Sequence, residues 1–529
     1  MTESSIEIGA MSNRGKLLAL VAGPILGLLT YFLLPESYIN SQGVETAFPY
    51  AGRACMGVTV WMAIWWFTEA LPIAATAMIP LVVYPLLQIT SAKAAMSNYA
   101  SGTIFLFLGG FLLAAGIHRW HLDRRIALLT LRLFGTQPKQ MVLGLMLATA
   151  GLSAWVSNTA TAAMMVPIAI AVLGVVRSTQ KSEVIGKDER NFGIAVLLSI
   201  AYAASIGGMV TVIGSPPNGI YVRFMEQTYG ETVSFIDWLK IGLPVALLLL
   251  PATYFLLVNV LFPCKMEGIP GGKDWVRNEL RKLGAMSRGE KIVLAVFVLA
   301  AVLWIFGPVI RGLEFDGAKP FAALKDETIA MAAGLLLFAI PVDSKRGIHA
   351  LDWSSAKDVI AWDVLLLFGG GLTMAAALQS TGAAALVGAQ ATALGSLGEV
   401  SMMAGVATLV TFATEVTSNT ALAATMMPLI SASADALKID ASGLLVTTAL
   451  AASCAFMMPV ATPPNAIVFG TGRLKIGDMV KAGFWLNILG VVIITCVAAV
   501  IDRKSNPLTA SLKNKRTSAH PRKEARAFI

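Results

Sequence analysis

Charge is what this sequence has least of. Of its 529 residues, 13% are Asp, Glu, Lys or Arg and 56% are hydrophobic, whereas a soluble domain carries about 25% charged residues. A mean hydropathy of +0.72 over 55.8 kDa excludes a globule with a wetted surface. Cysteine is almost as scarce: Cys55, Cys264, Cys454 and Cys496 lie too far apart for a disulfide framework or a thiolate metal site. The four histidines form no HExxH or similar metal pattern. No GxSxG elbow, no Cys/His pair and no carboxylate dyad at workable spacing is found, so a membrane-embedded enzyme is not expected. The apolar runs also lack the dyad alternation of an outer-membrane barrel. Met1–Lys16 reads as too polar and too long for a cleaved signal peptide. A net charge of +9 does not point to nucleic acid, because the basic residues fall in loops between apolar runs, where topology accounts for them.

What remains is a polytopic, all-α integral membrane protein. Its apolar runs are about 17–25 residues long, the length of a helix crossing a hydrocarbon core of about 30 Å. Eleven crossings are expected at 17–35, 52–68, 71–88, 102–117, 192–225, 235–262, 291–310, 324–341, 361–378, 441–470 and 480–501. Two further apolar segments, 140–176 and 400–436, are each too long for one span and carry a polar tripeptide at the middle. Both read as re-entrant helical hairpins, since non-helical backbone at membrane depth is tolerated only under cover of protein or a water-filled cavity. With the N-terminus inside, the inside segments hold 23 Lys and Arg and the outside segments 4, the bias that the positive-inside rule expects. The C-terminal tail, 502–529, falls outside in this layout yet carries eight Lys and Arg.

Four elements then recur in the same order. Leu108-Gly109-Gly110 matches Phe368-Gly369-Gly370, and SNTATAAMMVP (157–167) matches SNTALAATMMP (418–428). IGSPPN (213–218) matches VATPPN (460–465), and Asp237–Gly242 matches Asp478–Gly483. The chain therefore divides into a cytoplasmic N-terminus (1–16), one repeat (17–262), a cytoplasmic linker (263–290), a second repeat (291–501) and a basic polar tail (502–529). Counted back from the hairpins, the copies face opposite sides, so the repeat is inverted, as in many secondary transporters.

The polar tripeptides Ser157-Asn158-Thr159 and Ser418-Asn419-Thr420 fall at the hairpin middles. Ser, Asn and Thr are good helix N-caps, so a plain capping role is the bland alternative. Two copies in equivalent hairpins favour a site, because a half-helix N-terminus carries partial positive charge suited to a carboxylate. Hydroxyl and amide oxygens also suit a hard cation such as Na⁺. The loops around Gly214-Ser215-Pro216-Pro217-Asn218 and Ala461-Thr462-Pro463-Pro464-Asn465 interrupt long helices at mid-span. Paired prolines remove helix donors and free carbonyls for other partners. Together these motifs give two cation sites flanking one anion site. Neither hairpin contains Arg or Lys, so a dianion would bind well only with cations beside it. The intramembrane acids Glu69, Asp363 and Glu415 are expensive and therefore functional candidates, Glu415 standing equally for a structural role at the hairpin tip. Trp61, Trp65, Trp66 and Phe67 read as packing or an interfacial belt.

At these residues the sequence resembles the divalent anion:Na⁺ symporter family, the citrate and dicarboxylate carriers. The likeness runs from about 17 to 501 and includes WWFTEALPIAATA (65–77). It implies a homodimer in which each protomer has a scaffold domain and a transport domain that moves as an elevator. It implies a first Na⁺ site at Ser153, Ser157, Asn158 and the Gly214 carbonyl. It implies a second at Thr414, Thr417, Asn419 and the carbonyls of Ala461 and Pro463, with Thr417 standing where backbone alone suffices. The implied dicarboxylate contacts are Ser157, Asn158, Thr159, Ser418, Asn419, Thr420, Thr462 and Pro463, with Ser215 as the pseudo-symmetric partner. The expected function is Na⁺-coupled symport of C4-dicarboxylates (succinate, fumarate, malate) across the cytoplasmic membrane. The alternative keeps the fold and makes the chain a dicarboxylate exchanger or a citrate or sulfate carrier.

Overall fold

The structure, a computed structural model, describes residues 13–40, 43–179, 186–266, 268, 271–391 and 398–518, with the helix path alone beyond 501. In the first half, α1 (Asn13–Leu33) and α2 (Tyr50–Thr68) pack as a pair, joined by a small antiparallel hairpin of β1 (Ser37–Ile39) and β2 (Glu45–Ala47). Their backbones meet at Gly27 and Gly57, where an added Cβ would strike the opposing backbone. The run expected as one span at 71–88 is fractured into α3 (Ile73–Ala77) and α4 (Ile79–Leu86), since Pro72, Pro80 and Pro85 interrupt the donor ladder. Then follow α5 (Ala92–Ser97), α6 (Gly102–Arg119), α7 (Leu122–Phe134), α8 (Pro138–Ser153), α9 (Asn158–Thr179), α10 (Lys187–Gly208), α11 (Pro216–Phe224) and α12 (Phe235–Phe255). Ser234 starts α12 with a capping box closed by Asp237.

Two segments read from sequence as loops contain amphipathic helices, α7 and, in the linker, α13 (Gly272–Leu283). The basic residues there do more than set topology. Arg125 is buried against Glu290 at 2.6 Å and also donates to the carbonyls of Gly284 and Leu283. Arg124 reaches Glu279 at 2.7 Å, so α7 and α13 are clamped together. Both helices are apolar on one face and charged on the other, so their average hydropathy is that of a loop and neither stands out as a span.

The second half comprises α14 (Arg288–Arg311), α15 (Asp326–Ala339), a hairpin of β3 (Pro341–Asp343) and β4 (Ile348–His349), α16 (Trp353–Lys357), α17 (Trp362–Ser380), α18 (Ala383–Ala391), α19 (Glu399–Ala413), α20 (Asn419–Leu437), α21 (Ser442–Ala452), α22 (Pro463–Phe469) and α23 (Ile476–Ser518). Among the described residues nine helices are long and apolar enough to cross a membrane. Two of the nine, α9 and α20, are hairpin arms. Apolar side chains of α1 and α14, such as Leu18, Phe32, Phe306 and Val309, point outward, the surface that a bilayer solvates.

The core is crossed between halves. Helix α22 packs on α9 and α10, while α11 packs on α20 and α21. Each half thus inserts the short helix following its break among the elements of the other.

Candidate functional site

Each hairpin turns at a short non-helical tip. The first runs from the end of α8 at Ser153 to Ser157, whose Oγ accepts from the Ala160 amide. The second runs from Thr414 to Ser418, whose Oγ accepts from the Ala421 amide. Both serines therefore cap their helices as their residue type dictates. The residues beside them build something more.

Ser153 Oγ lies 2.7 Å from the Ala204 carbonyl and 2.6 Å from the Asn158 side-chain amide. In the other half, Thr414 Oγ1 lies 3.0 Å from the Ala452 carbonyl and 2.6 Å from Asn419 Oδ1. A hydroxyl has one proton and cannot donate to both neighbours. At Asn158, turning the nitrogen inward brings its two protons within reach of three acceptors, Ser153 Oγ (2.6 Å), Ala204 O (3.0 Å) and Gly214 O (3.3 Å). Turning the oxygen inward instead brings four oxygens together, a donor set of the kind a hard cation prefers. Gly208 leaves room for this group, since a Cβ at that position would run into the Asn158 amide and displace it.

The breaks are stapled by the asparagine of each proline motif. Asn218 Nδ2 donates to the carbonyls of Gly208 (2.9 Å) and Thr211 (2.8 Å). Asn465 Nδ2 does the same for Ala455 and Met458, both at 3.0 Å. Ser215 and Thr462 then precede α11 and α22 with extended backbone, as a residue before proline must.

The sequence profile of the sodium:sulfate symporter transmembrane region matches residues 15–502. The chain belongs to that family, the divalent anion:Na⁺ symporters. The sodium-dependent dicarboxylate transporter SdcS of Staphylococcus saprophyticus is 38% identical over 487 residues, covering 92% of this chain and 91% of the relative. Its counterpart in Staphylococcus aureus is 37% identical over 486 residues, again covering 92% and 91%. The crystal structure of the YdaH transporter of Alcanivorax borkumensis superposes with a TM-score of 0.56 at 12% identity, over 92% of this chain and 96% of that one, a likeness of fold. This symporter-family member is a multi-pass membrane transporter and not an enzyme.

Within the transporter, the residues singled out from sequence are not equally placed. Thr159 and Pro463 are exposed, and Ser157, Asn158, Ser418 and Asn419 are half-buried at the tips. Thr420 and Thr462 are buried, and so is Ser215, at 1% exposure, its Oγ 3.2 Å from Ser453 Oγ. Ser215 thus ties the two breaks together. Thr417 Oγ1 donates back to the Ala413 carbonyl at 2.9 Å, so its hydroxyl is occupied within its own turn. Of the three acids, Glu69 and Asp363 are exposed at helix ends, Glu69 as the left-handed C-cap of α2 and Asp363 in the first turn of α17, where the helix dipole favours an anion. Only Glu415 is buried. The tryptophans pack: Trp65 Nε1 donates to the Leu20 carbonyl and Trp66 Nε1 to that of Ile73.

Sequence reasoning missed the Ala204 and Ala452 carbonyls and the stapling role of Asn218 and Asn465. The second role had a signal, since both asparagines close a duplicated motif. The carbonyls had none, because any residue supplies one.

Proposed function

We propose that this transporter couples the entry of C4-dicarboxylates such as succinate, fumarate and malate to Na⁺, as a symporter. The observation that carries the reading is the duplicated arrangement of hydroxyl, amide and carbonyl oxygens at the two hairpin tips. One Na⁺ is held by Ser153, Ser157, Asn158 and the Gly214 carbonyl, with Ala204 O added from the geometry. The other is held by Thr414, Asn419 and the carbonyls of Ala461, Pro463 and Ala452, with Thr417 contributing backbone. Asn158 serves as a two-position group: its nitrogen satisfies the carbonyls without the ion, and its oxygen turns in to meet it.

The substrate's carboxylates are taken by Ser157-Asn158-Thr159 and Ser418-Asn419-Thr420, with Thr462-Pro463 and Ser215 bordering the site. Their donors are neutral, so a dianion here gains its countercharge from the two cations. Coupling follows from that deficit. The names of the SdcS relatives support the same substrate class and ion. The cycle is that of an elevator in a homodimer of the plasma membrane, with the N-terminus in the cytoplasm. The repeats 17–262 and 291–501 frame the site, 263–290 links them on the cytoplasmic side, and 502–529 is a basic tail.

Radiolabelled succinate uptake into proteoliposomes tests this, comparing an inward Na⁺ gradient with an equal K⁺ gradient. Uptake driven only by Na⁺ is expected. Uptake indifferent to the cation would overturn the coupling, and counterflow that persists without Na⁺ would make the protein an exchanger.

A further inference from the structure

The two breaks are not equivalent, and the difference centres on Glu415. Helix α10 continues to Gly208, and the chain is non-helical over 209–215. Helix α21 stops earlier, at Ala452, leaving 453–462 unwound. Such a long break at membrane depth exposes amides as well as carbonyls, and both need partners. Three consecutive amides go to one side chain. Glu415 Oε1 accepts from Phe456 N (2.7 Å) and Met457 N (2.9 Å), and Oε2 from Met457 N and Met458 N, both at 3.0 Å. A fourth donor, Asn487 Nδ2 on α23, reaches Oε1 at 2.7 Å. Every contact to this carboxyl comes from a donor, and it is 4% exposed.

Glu415 thereby fixes the stretch that follows Ala452, and the Ala452 carbonyl, at the end of α21, meets Oγ1 of Thr414, the residue next to Glu415. The first half uses a neutral substitute. There Ala154 stands at the position of Glu415, and its backbone carbonyl accepts from Thr211 Oγ1, which in turn accepts from Gly214 N at 3.2 Å. Thr211 thus braces the residue whose carbonyl faces Asn158.

We propose that Glu415, with Asn487, is the positioning residue of the second cation cage alone, and that Thr211 positions the first. This rests on the reading of the hairpin tips as Na⁺ sites, and it adds that the two sites can be lost one at a time. A role in general stability would weaken both together.

The test is equilibrium binding of radioactive Na⁺ to the purified full-length protein in nanodiscs. Two ions per chain give a Hill coefficient that approaches about two if they bind cooperatively. Glu415→Gln is expected to bind one ion, with the affinity of the remaining site within about two-fold of wild type, and a coefficient of about one. Thr211→Val is expected to lose the other. Adding Ser153→Ala to Glu415→Gln should abolish binding, whereas adding Thr414→Ala should change nothing further, since both then strike one site. Should Glu415→Gln fail to fold, Asn487→Ala, which removes a single donor, is expected to weaken one ion and spare the other. Wild-type binding of both ions in folded Glu415→Gln, or equal weakening of both in either variant, would overturn the proposal. Absence of Na⁺ binding by the wild-type protein would instead overturn the symporter reading itself.

Discussion

Asn158 and Asn419 each bring one amide to a hydroxyl and, in the first half, to two backbone carbonyls. In the proposed symporter an alanine at either position removes a ligand assigned to both ion and substrate while opening only a small gap at a half-buried tip. Asn158→Ala and Asn419→Ala are therefore expected to reduce Na⁺-driven uptake to background with melting temperatures close to wild type. Thr417→Ala is the contrasting case. Its hydroxyl is spent on the Ala413 carbonyl, so Na⁺ dependence of uptake should hold within about two-fold, the change worth about 0.4 kcal/mol. These asparagines were legible because each tripeptide occurs twice. The fate of Thr417 was not, because a threonine bonded back to its own turn looks the same in sequence as one facing a ligand.

Among the elements, the end of α10 is where packing meets the site. Gly208→Ala would push the Asn158 amide out of line, and the expected result is a rise of about ten-fold in the Na⁺ concentration for half-maximal uptake, about 1.4 kcal/mol. Flow-dialysis or uptake titrations would read it, and an unchanged Na⁺ requirement would mean that the amide has room to yield. Away from the site, Asp352 caps α16, accepting from the Ser355 amide at 2.8 Å and from the Ser354 hydroxyl, and pairs with Arg119 at the end of α6. The Ser354 hydroxyl, the Ser355 amide and Arg119 hold its carboxyl down to about 2. A lowered value stabilises the fold above the unfolded pKa of about 3.9 and loses that effect as pH falls through about 2. Thermal unfolding in detergent should show wild type above Asp352→Asn at neutral pH, with the curves converging over that acid window. The long apolar helices behind both predictions were legible from hydropathy alone. The amphipathic α7 and α13 were not, since their exposed charges, such as Arg132, Arg277 and Arg281, cancel the apolar face in any average along the chain.

At the scale of the whole molecule, repetition made the hairpins and breaks readable, and asymmetry hid what distinguishes them. Glu415 and Asn487 have alanines at the matching positions of the first half, Ala154 and Ala246, so a comparison of repeats marks them as different without saying what they hold. The crossed packing of α22 on α9 and of α11 on α20 leads to a further expectation. Residues 1–266 expressed alone should be degraded, and co-expression with 271–529 should restore a stable, Na⁺-dependent carrier, as judged by gel filtration and uptake. A stable, monodisperse first half would show that the crossing is dispensable. The same crossing sets a timetable for synthesis. The first hairpin leaves the ribosome roughly three hundred residues before its partner α22, about 15–60 s at ordinary elongation rates. Throughout that interval a polar tip and an opened helix must wait in or beside the insertion machinery without their permanent neighbours, and the assembly of this carrier becomes a problem of timing as much as of affinity.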